Sequence, residues 1–409
     1  MACVRGGGPA PDSISQRQPG VTQHKRPRSC RPKLRSMPLK KYLLSFASLV
    51  VLSTATQADT YLASTWLDPG HILTKDAYVP YLEDIKTATG GKVDVELHTS
   101  ASLLPPLTTL SGVGDGVAQI GLVAASYTPS ELPLSGLMND LAFLAKDPMA
   151  ISLAFTELLM FDQRFIDEYA RHNTVALGGY STPIYLFACM KDVVSAEDAR
   201  GTKFRTNGRA QNEFAGALGG VPVSVPINDV YSGLERGSLD CALIESTNLV
   251  TGPRLGEVIR SVTKIGLGTG MGVSYVYNKD FWNDIGPEAR RQILDVTARG
   301  IATKQIGYET AADKALEQAE ATGTKVNEPQ QSLLDTLETF RQTVASTYPE
   351  FTQTTYNVAD PSDIATQYQE LEQKWIDLLA GIDRSDVDAV AELIHAEIFA
   401  KIDENSHAL

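Results

Sequence analysis

The chain has 409 residues, with 36 Lys and Arg against 49 Asp and Glu and a formal net charge of −13. So acidic a balance excludes nucleic acid and anionic lipid as partners, because the overall field repels both. The 4 cysteines and 6 histidines show no Cys-x-x-Cys and no paired His spacing, so zinc is not expected.

Residues 1–36 are rich in Gly, Pro, Ser, Arg and Gln and show no apolar periodicity. From Met37 the chain reads as a secretory signal peptide over 37–58. Lys40 and Lys41 form the charged segment, Tyr42 to Leu52 the apolar core, and Thr56 and Ala58 the small residues before a cut at Asp59. That apolar core is too short to span a bilayer, so the expected mature chain is exported. The simplest account of 1–36 is a translation start assigned upstream of the true one. Residues 1–58 hold 10 of the 36 basic residues and only Asp12 of the 49 acidic ones. The mature chain then carries 26 basic and 48 acidic residues, a net charge of −22. Any anion it binds must be gripped by a few local groups. At about 350 residues it exceeds the size of a single core, and two lobes are expected.

In chain order, Thr60 to Thr65 reads as a strand ending at Trp66, and Asp68-Pro69-Gly70 turns into a helix reaching Thr89. Lys92 to His98 alternates as a second strand. Pro105 and Pro106 lead to a short helix, and Ala118 to Ala124 is a continuous apolar run, a strand buried on both faces. This alternation implies a parallel sheet with right-handed crossovers. Tyr127 to Leu141 reads as a loop, Pro148 to Ala170 as helix, and Thr174–Tyr180 and Pro183–Met190 as extended runs, the latter crossing between lobes. The unit then repeats: strand 202–206, helix 210–218, strand 221–225. Pro222 places the last at a sheet edge. Asn228 caps a short helix over Asp229–Arg236, and Leu239 to Ile244 is a strand finishing at Glu245-Ser246-Thr247. Strand Gly272–Tyr277 precedes a helix from Pro287 to about Ala321, longer than one lobe is wide. Three amphipathic helices (330–346, 362–380 and 386–403) close the chain. The lobes are expected over 59–181 with 271–302 and over 182–270 with 303–345, with 346–409 as a helical tail.

In the second repeat, Arg205 stands at the carboxyl end of the strand Gly201-Thr202-Lys203-Phe204-Arg205-Thr206, just before the Asn207-Gly208 turn. Ligands of open α/β sheets lie beyond such strand ends, and a guanidinium matches a carboxylate in two parallel hydrogen bonds. The alternative is a surface arginine on an edge strand. Trp66, Tyr127, Tyr180 and Tyr275, near strand ends, are candidates to wall a cleft or to sit in the core. Cys189 and Cys241, the two mature cysteines, lie in apolar strand contexts and are open to either a disulfide or two core thiols. Gly-x-Ser-x-Gly is absent. The glycines of Gly266 to Gly272 miss a phosphate-loop pattern and read as a flexible connection between lobes. Nothing calls for an enzyme or a cofactor. Two α/β lobes around a shared cleft suit a binding protein that closes by hinge motion.

Three motifs resemble one family. They are Gly201-Thr202-Lys203-Phe204-Arg205, then Leu218-Gly219-Gly220-Val221-Pro222-Val223, then Tyr231-Ser232-Gly233-Leu234-Glu235-Arg236-Gly237-Ser238-Leu239-Asp240. Their order and spacing are similar to those of the periplasmic substrate-binding subunits of TRAP (tripartite ATP-independent periplasmic) transporters. The likeness covers about Thr60 to Gly323. It implies a two-lobed, type II-like α/β periplasmic binding fold with a lobe-spanning helix. It also implies capture of a small organic acid for a TRAP-type membrane permease. A ligand-sensing partner of a membrane signalling protein is the alternative on the same scaffold. Arg205 occupies the position of the family's carboxylate-holding arginine. A second arginine carried by sialic-acid binders is replaced by Tyr180-Ser181-Thr182-Pro183, which favours a monocarboxylate with an apolar or hydroxylated body. Glu245, Ser246 and Thr247 are the remaining candidate pocket groups. Some members dimerise through C-terminal helices, which leaves a homodimer through the tail as an alternative to a monomer.

Overall fold

The structure, a computed structural model, describes residues 60–409. The readings of 1–36 as an upstream extension and of 37–58 as a signal peptide lie outside the described residues. Among the described residues, no helix is long and apolar enough to cross a membrane.

β1 (Thr60–Ser64) leads through a π-turn (Leu73–Tyr78) into α1 (Val79–Ala88), then β2 (Asp94–His98), α2 (Thr109–Gly114) and β3 (Ile120–Val123). Next come α3 (Pro133–Leu141), α4 (Pro148–Phe161), α5 (Gln163–Ala170), β4 (Thr174–Ala176) and β5 (Gly179–Ser181). A second sheet follows with β6 (Leu186–Cys189), β7 (Lys203–Thr206), α6 (Arg209–Ala217), β8 (Val221–Ser224), α7 (Val230–Glu235), β9 (Cys241–Ile244) and β10 (Ser261–Thr263). The chain then returns to the first sheet as β11 (Met271–Asn278). It closes with α8 (Lys279–Asp284), α9 (Gly286–Ala321), β12 (Lys325–Asn327), α10 (Gln331–Tyr356), α11 (Pro361–Leu379) and α12 (Val387–Glu397).

The strand order is β2-β1-β3-β11-β4 with β5 on β11 in one sheet, and β12-β10-β6-β9-β7-β8 in the other. Neither sheet is purely parallel. β11 runs antiparallel to β3, β4 and β5, and β6 antiparallel to β9 and β10. The cause is topological: a strand arriving from the other lobe enters its sheet from the opposite end to the strands made within it. β8 lies at an edge, as Pro222 demands. β6 and β9 bring Cys189 opposite Cys241, and the two sulfurs are bonded.

The two crossing segments pair with each other rather than swinging freely. Thr182 N donates to Gly270 O (2.9 Å), Tyr185 N to Gly268 O (2.8 Å) and Leu267 N to Tyr185 O (3.0 Å). Gly268 has φ +68°, and a Cβ there would lie 2.3 Å from the Ala142 carbonyl oxygen. Gly268 therefore serves close approach, not looseness alone.

Several expected boundaries move. Residues 127–141 are not a loop throughout: α3 begins at Pro133, where a missing N–H costs nothing, and buries Leu134, Leu137, Met138 and Leu141. Residues 148–170 divide at Asp162, whose side chain accepts from Arg164 N and starts α5. Asn228 is not a cap; its Nδ2 donates to Trp66 O at 2.8 Å, joining the second lobe to the first. Tyr275 belongs to the core, stacked at 3.7 Å on Tyr81.

α9, 36 residues and about 54 Å long, ties both sheets. In its first half Thr297 meets the Tyr81 hydroxyl (3.0 Å), and in its second half Ala312 O accepts from Ser246 Oγ (2.6 Å). α10 adds a second tie, with Phe340 between Phe143 of the first lobe (5.3 Å) and Phe214 of the second (5.5 Å).

Candidate ligand-binding site

β7 lies inside its sheet, with Arg205 paired to Val223 on one side and Ala242 on the other. Arg205 is therefore not an edge residue, and it is only 1 % exposed. Its Nε donates to Val225 O (2.9 Å), Nη1 to Leu243 O (3.2 Å) and Nη2 to the Tyr127 hydroxyl (3.5 Å). All three acceptors are neutral. Among the described residues, no carboxylate oxygen lies within 4.0 Å of the guanidinium. Two of its five N–H donors are left over, one on each Nη. A buried cation with neutral acceptors only is costly to maintain.

Arg205 lines a cavity of about 40 Å³ between the two sheets. Trp66, Tyr127, Tyr180 and Glu245 line it as well. Trp66 offers its ring, since its indole N–H is spent on Leu122 O (3.1 Å). The Tyr127 oxygen accepts from both Arg205 Nη2 and Ile227 N (3.2 Å), which leaves its own hydrogen free to donate.

Ser246 and Thr247 do not line the cavity. A 3₁₀ turn over Ser246–Leu249 follows β9 directly and turns Ser246 onto α9. Thr247 is used up by Glu245, to which it donates through N (2.6 Å) and Oγ1 (2.8 Å).

Glu245 also accepts from the Tyr308 hydroxyl (3.2 Å) and from Asn248 Nδ2. Among the described residues no cation forms an ion pair with it, and burial pushes its carboxyl up to about 7. His71, on the same wall, accepts from Leu73 N at 3.1 Å through Nδ1, which puts the ring hydrogen on Nε2. Burial holds its pKa down at about 4, so the ring is neutral.

Sequence reasoning missed Tyr185, Asn207, Asn248, Tyr308 and the role of His71, all of which line the cavity. Asn207 carries a readable signal, sitting in the turn that ends the Arg205 strand. Tyr308 has none, because α9 delivers it from over a hundred residues away. Among the described residues, no three His, Cys, Asp or Glu side chains converge as a metal site.

The lobes meet around this cavity through named bonds. Ser126 Oγ donates to Asn207 Oδ1 (2.6 Å), Ala210 N to Asp140 Oδ1 (3.3 Å), and Tyr127 and Asn228 add the contacts given above.

Two α/β sheets joined by paired crossing segments, with a buried polar cavity between them, define a two-lobed ligand-binding protein. Residues 62–354 match the DctP family model, described as bacterial extracellular solute-binding protein, family 7, and the chain belongs to that family. It is 24% identical over 191 residues to a solute-binding protein of Albidiferax ferrireducens, a match spanning 45% of this chain and 53% of that relative. A TRAP solute-binding protein from Rhodoferax ferrireducens, solved with copurified benzoate, superposes with a TM-score of 0.69 at 20% identity. That match covers 78% of this chain and 99% of the other. A marine metagenome TRAP solute-binding protein specific for pyroglutamate gives 0.69 at 22% identity, covering 77% and 99%.

Proposed function

We propose that this protein is a periplasmic receptor that captures a small monocarboxylate between its lobes and delivers it, unaltered, to a TRAP-type membrane permease. The observation that carries the reading is the uncompensated Arg205 guanidinium, which lines the cavity between the sheets and keeps one N–H left over on each Nη. A carboxylate docked end-on across the two Nη atoms satisfies both donors and neutralises the charge. Tyr127 adds a third donor from the opposite lobe, which couples ligand capture to closure.

Family membership supports the periplasmic setting and the permease partner, and the benzoate and pyroglutamate of the structural neighbours are both carboxylates. Export then proceeds through the signal peptide at 37–58 with a cut near Ala58. The lobes divide as 59–181 with 271–302 and 182–270 with 303–345, hinged at the paired crossing segments, with 346–409 covering both. A cavity of about 40 Å³ favours a compact acid.

Thermal denaturation of the mature chain against a panel of organic acids tests the reading. A ligand that binds only the folded state raises the melting temperature through RT ln(1 + [L]/Kd). At least one monocarboxylate raises it, and the matching neutral amide does not. Equal shifts from acid and amide would overturn carboxylate capture.

A further inference from the structure

Arg205 and Glu245 line one cavity without pairing, and among the described residues lining it Glu245 is the one carboxyl. Glu245 is 1 % exposed and is held by neutral donors alone. Its Oε1 accepts from Thr247 Oγ1, Tyr308 Oη and Asn248 Nδ2, and its Oε2 from Thr247 N. Burial favours the neutral acid and these hydrogen bonds favour the carboxylate. Burial prevails, with the pKa at about 7, so both charge states are open near neutral pH. The surroundings serve either one. A hydroxyl donates to a carboxylate or accepts from a carboxylic acid, so Thr247 and Tyr308 can reverse their bonds. Asn248 faces Glu245 through Nδ2 and keeps Oδ1 buried without a partner. Turning that amide over presents Oδ1 to the hydrogen of the acid.

Entry of a ligand changes the charge balance. A bound carboxylate cancels the guanidinium charge and so withdraws the positive field that favours Glu245 as an anion. It also adds a like charge inside the same space of about 40 Å³, where attraction and repulsion are stronger than in water. Both changes raise the affinity of Glu245 for a proton. The reach of the two charges shows at a third group on the wall. Burial raises the Tyr185 phenol, Arg205 lowers it and Glu245 raises it further, so both act on one hydroxyl.

We infer that capture of a carboxylate on Arg205 is coupled to uptake of a proton from solvent by Glu245. This inference rests on the carboxylate reading above and adds a pH-dependent affinity to it. By linkage, binding is tightest below the pKa of Glu245 in the empty protein and weakens as pH rises towards its value in the complex. The other titratable groups around the cavity leave that window to Glu245. Burial pushes up Tyr308 of α9, Tyr185 of the crossing segment and Tyr180 of β5. His71 is held down at about 4, and Arg205 of β7 and Tyr127 complete the set. Asp140 and Glu168 are also pushed up to about 7 by burial, but neither lines the cavity.

The test is calorimetric titration of the wild-type protein with benzoate, mandelate, pyroglutamate and butyrate, acids that stay ionised above about pH 6. For each acid that binds, affinity weakens about tenfold between about pH 6 and about pH 9. At about pH 7.5, titrations in buffers of different ionisation enthalpy show uptake of about half a proton per acid bound. Glu245→Gln, which keeps an acceptor and does not titrate, abolishes both the pH dependence and the uptake. Tyr308→Phe removes a donor to the carboxylate and moves the window to higher pH, which loss of packing alone would not do. Affinity that stays constant over this range in wild type, or release of a proton on binding, would overturn the inference while leaving carboxylate capture intact. So would a pH dependence that persists in Glu245→Gln. Should Glu245→Gln fail to fold, the proton uptake by wild type and the shift in Tyr308→Phe decide. Failure of every acid to bind wild type at any pH would overturn carboxylate capture itself.

Discussion

The Nη2 of Arg205 and the hydroxyl of Tyr127 meet at 3.5 Å, one from each side of the cleft. Tyr127 also accepts from Ile227 N on the Arg205 side, so a single phenol oxygen joins the first lobe to the second at the candidate anchor. Tyr127→Phe keeps the ring against Trp66 (5.6 Å) but strips two buried donors of their acceptor in the closed form. Affinity for the acid that most stabilises wild type is expected to fall about tenfold, in line with 1–3 kcal/mol for such groups. Calorimetric titration of the variant checks this. An unchanged affinity would mean that closure does not depend on that contact.

The His71 ring gives a pH dependence with a definite sign. The unfolded chain takes up the proton near pH 6.5 and the native chain only near 4. His71 therefore contributes stability that is complete above pH 6.5 and is lost as pH falls through that window, about 3 kcal/mol at most. His71→Asn keeps an acceptor for Leu73 N and removes the titration. Between pH 6.5 and 4, the ligand-free variant is expected to lose less stability than wild type in denaturant unfolding. Parallel curves would show that His71 does not titrate differently on folding.

The bond between Cys189 and Cys241 closes a sequence separation of 52 residues. On the chain-entropy account, a loop of that length is worth about 4 kcal/mol. The double substitution to Ala is expected to lower denaturant stability by roughly that amount. Ligand affinity should stay within a few-fold, since Cys241 begins β9 and the cavity residues Ile244 and Glu245 lie at its far end.

Gly268 presses on the Ala142 and Phe143 carbonyl oxygens, and an added Cβ would come within 2.3 and 2.4 Å of them. Its φ of +68° adds backbone strain for any other residue. Gly268→Ala is expected to destabilise the protein by more than about 2 kcal/mol, read by chemical denaturation. The open site at Gly266, with nothing within 4 Å of an added Cβ, provides the control, where Ala meets the backbone cost alone.

Much of this architecture is legible in the sequence, because its signals are local. Strand and helix periodicity marks β1 to β3 and β7 to β9, Pro222 marks an edge, and the uninterrupted run after Gly286 marks α9. What is hidden depends on distant partners. Pro133 looks like a loop residue until its helix finds a core for Leu134 and Leu137. The antiparallel entry of β6 and β11 follows from lobe exchange, which no window of residues reports. Arg205 is visible as a charge at a strand end, yet its isolation from carboxylates appears only in three dimensions. Ser246 and Thr247 misled for a related reason: a 3₁₀ turn immediately after β9 rotates them away and brings Asn248 to the cavity instead.

Removing Arg205 separates its binding role from a structural one. A guanidinium without an ionic partner stabilises the empty protein little, and an apolar side chain of similar length removes a buried charge. In Arg205→Met, calorimetric titration with the acid that binds wild type, alongside the ligand-free melting temperature, gives the most direct measurement. The expected result is a loss of affinity of at least about a hundredfold, with a ligand-free melting temperature equal to or above that of wild type. An Arg205→Met protein that stays folded and binds the acid as tightly as wild type would contradict carboxylate capture by Arg205.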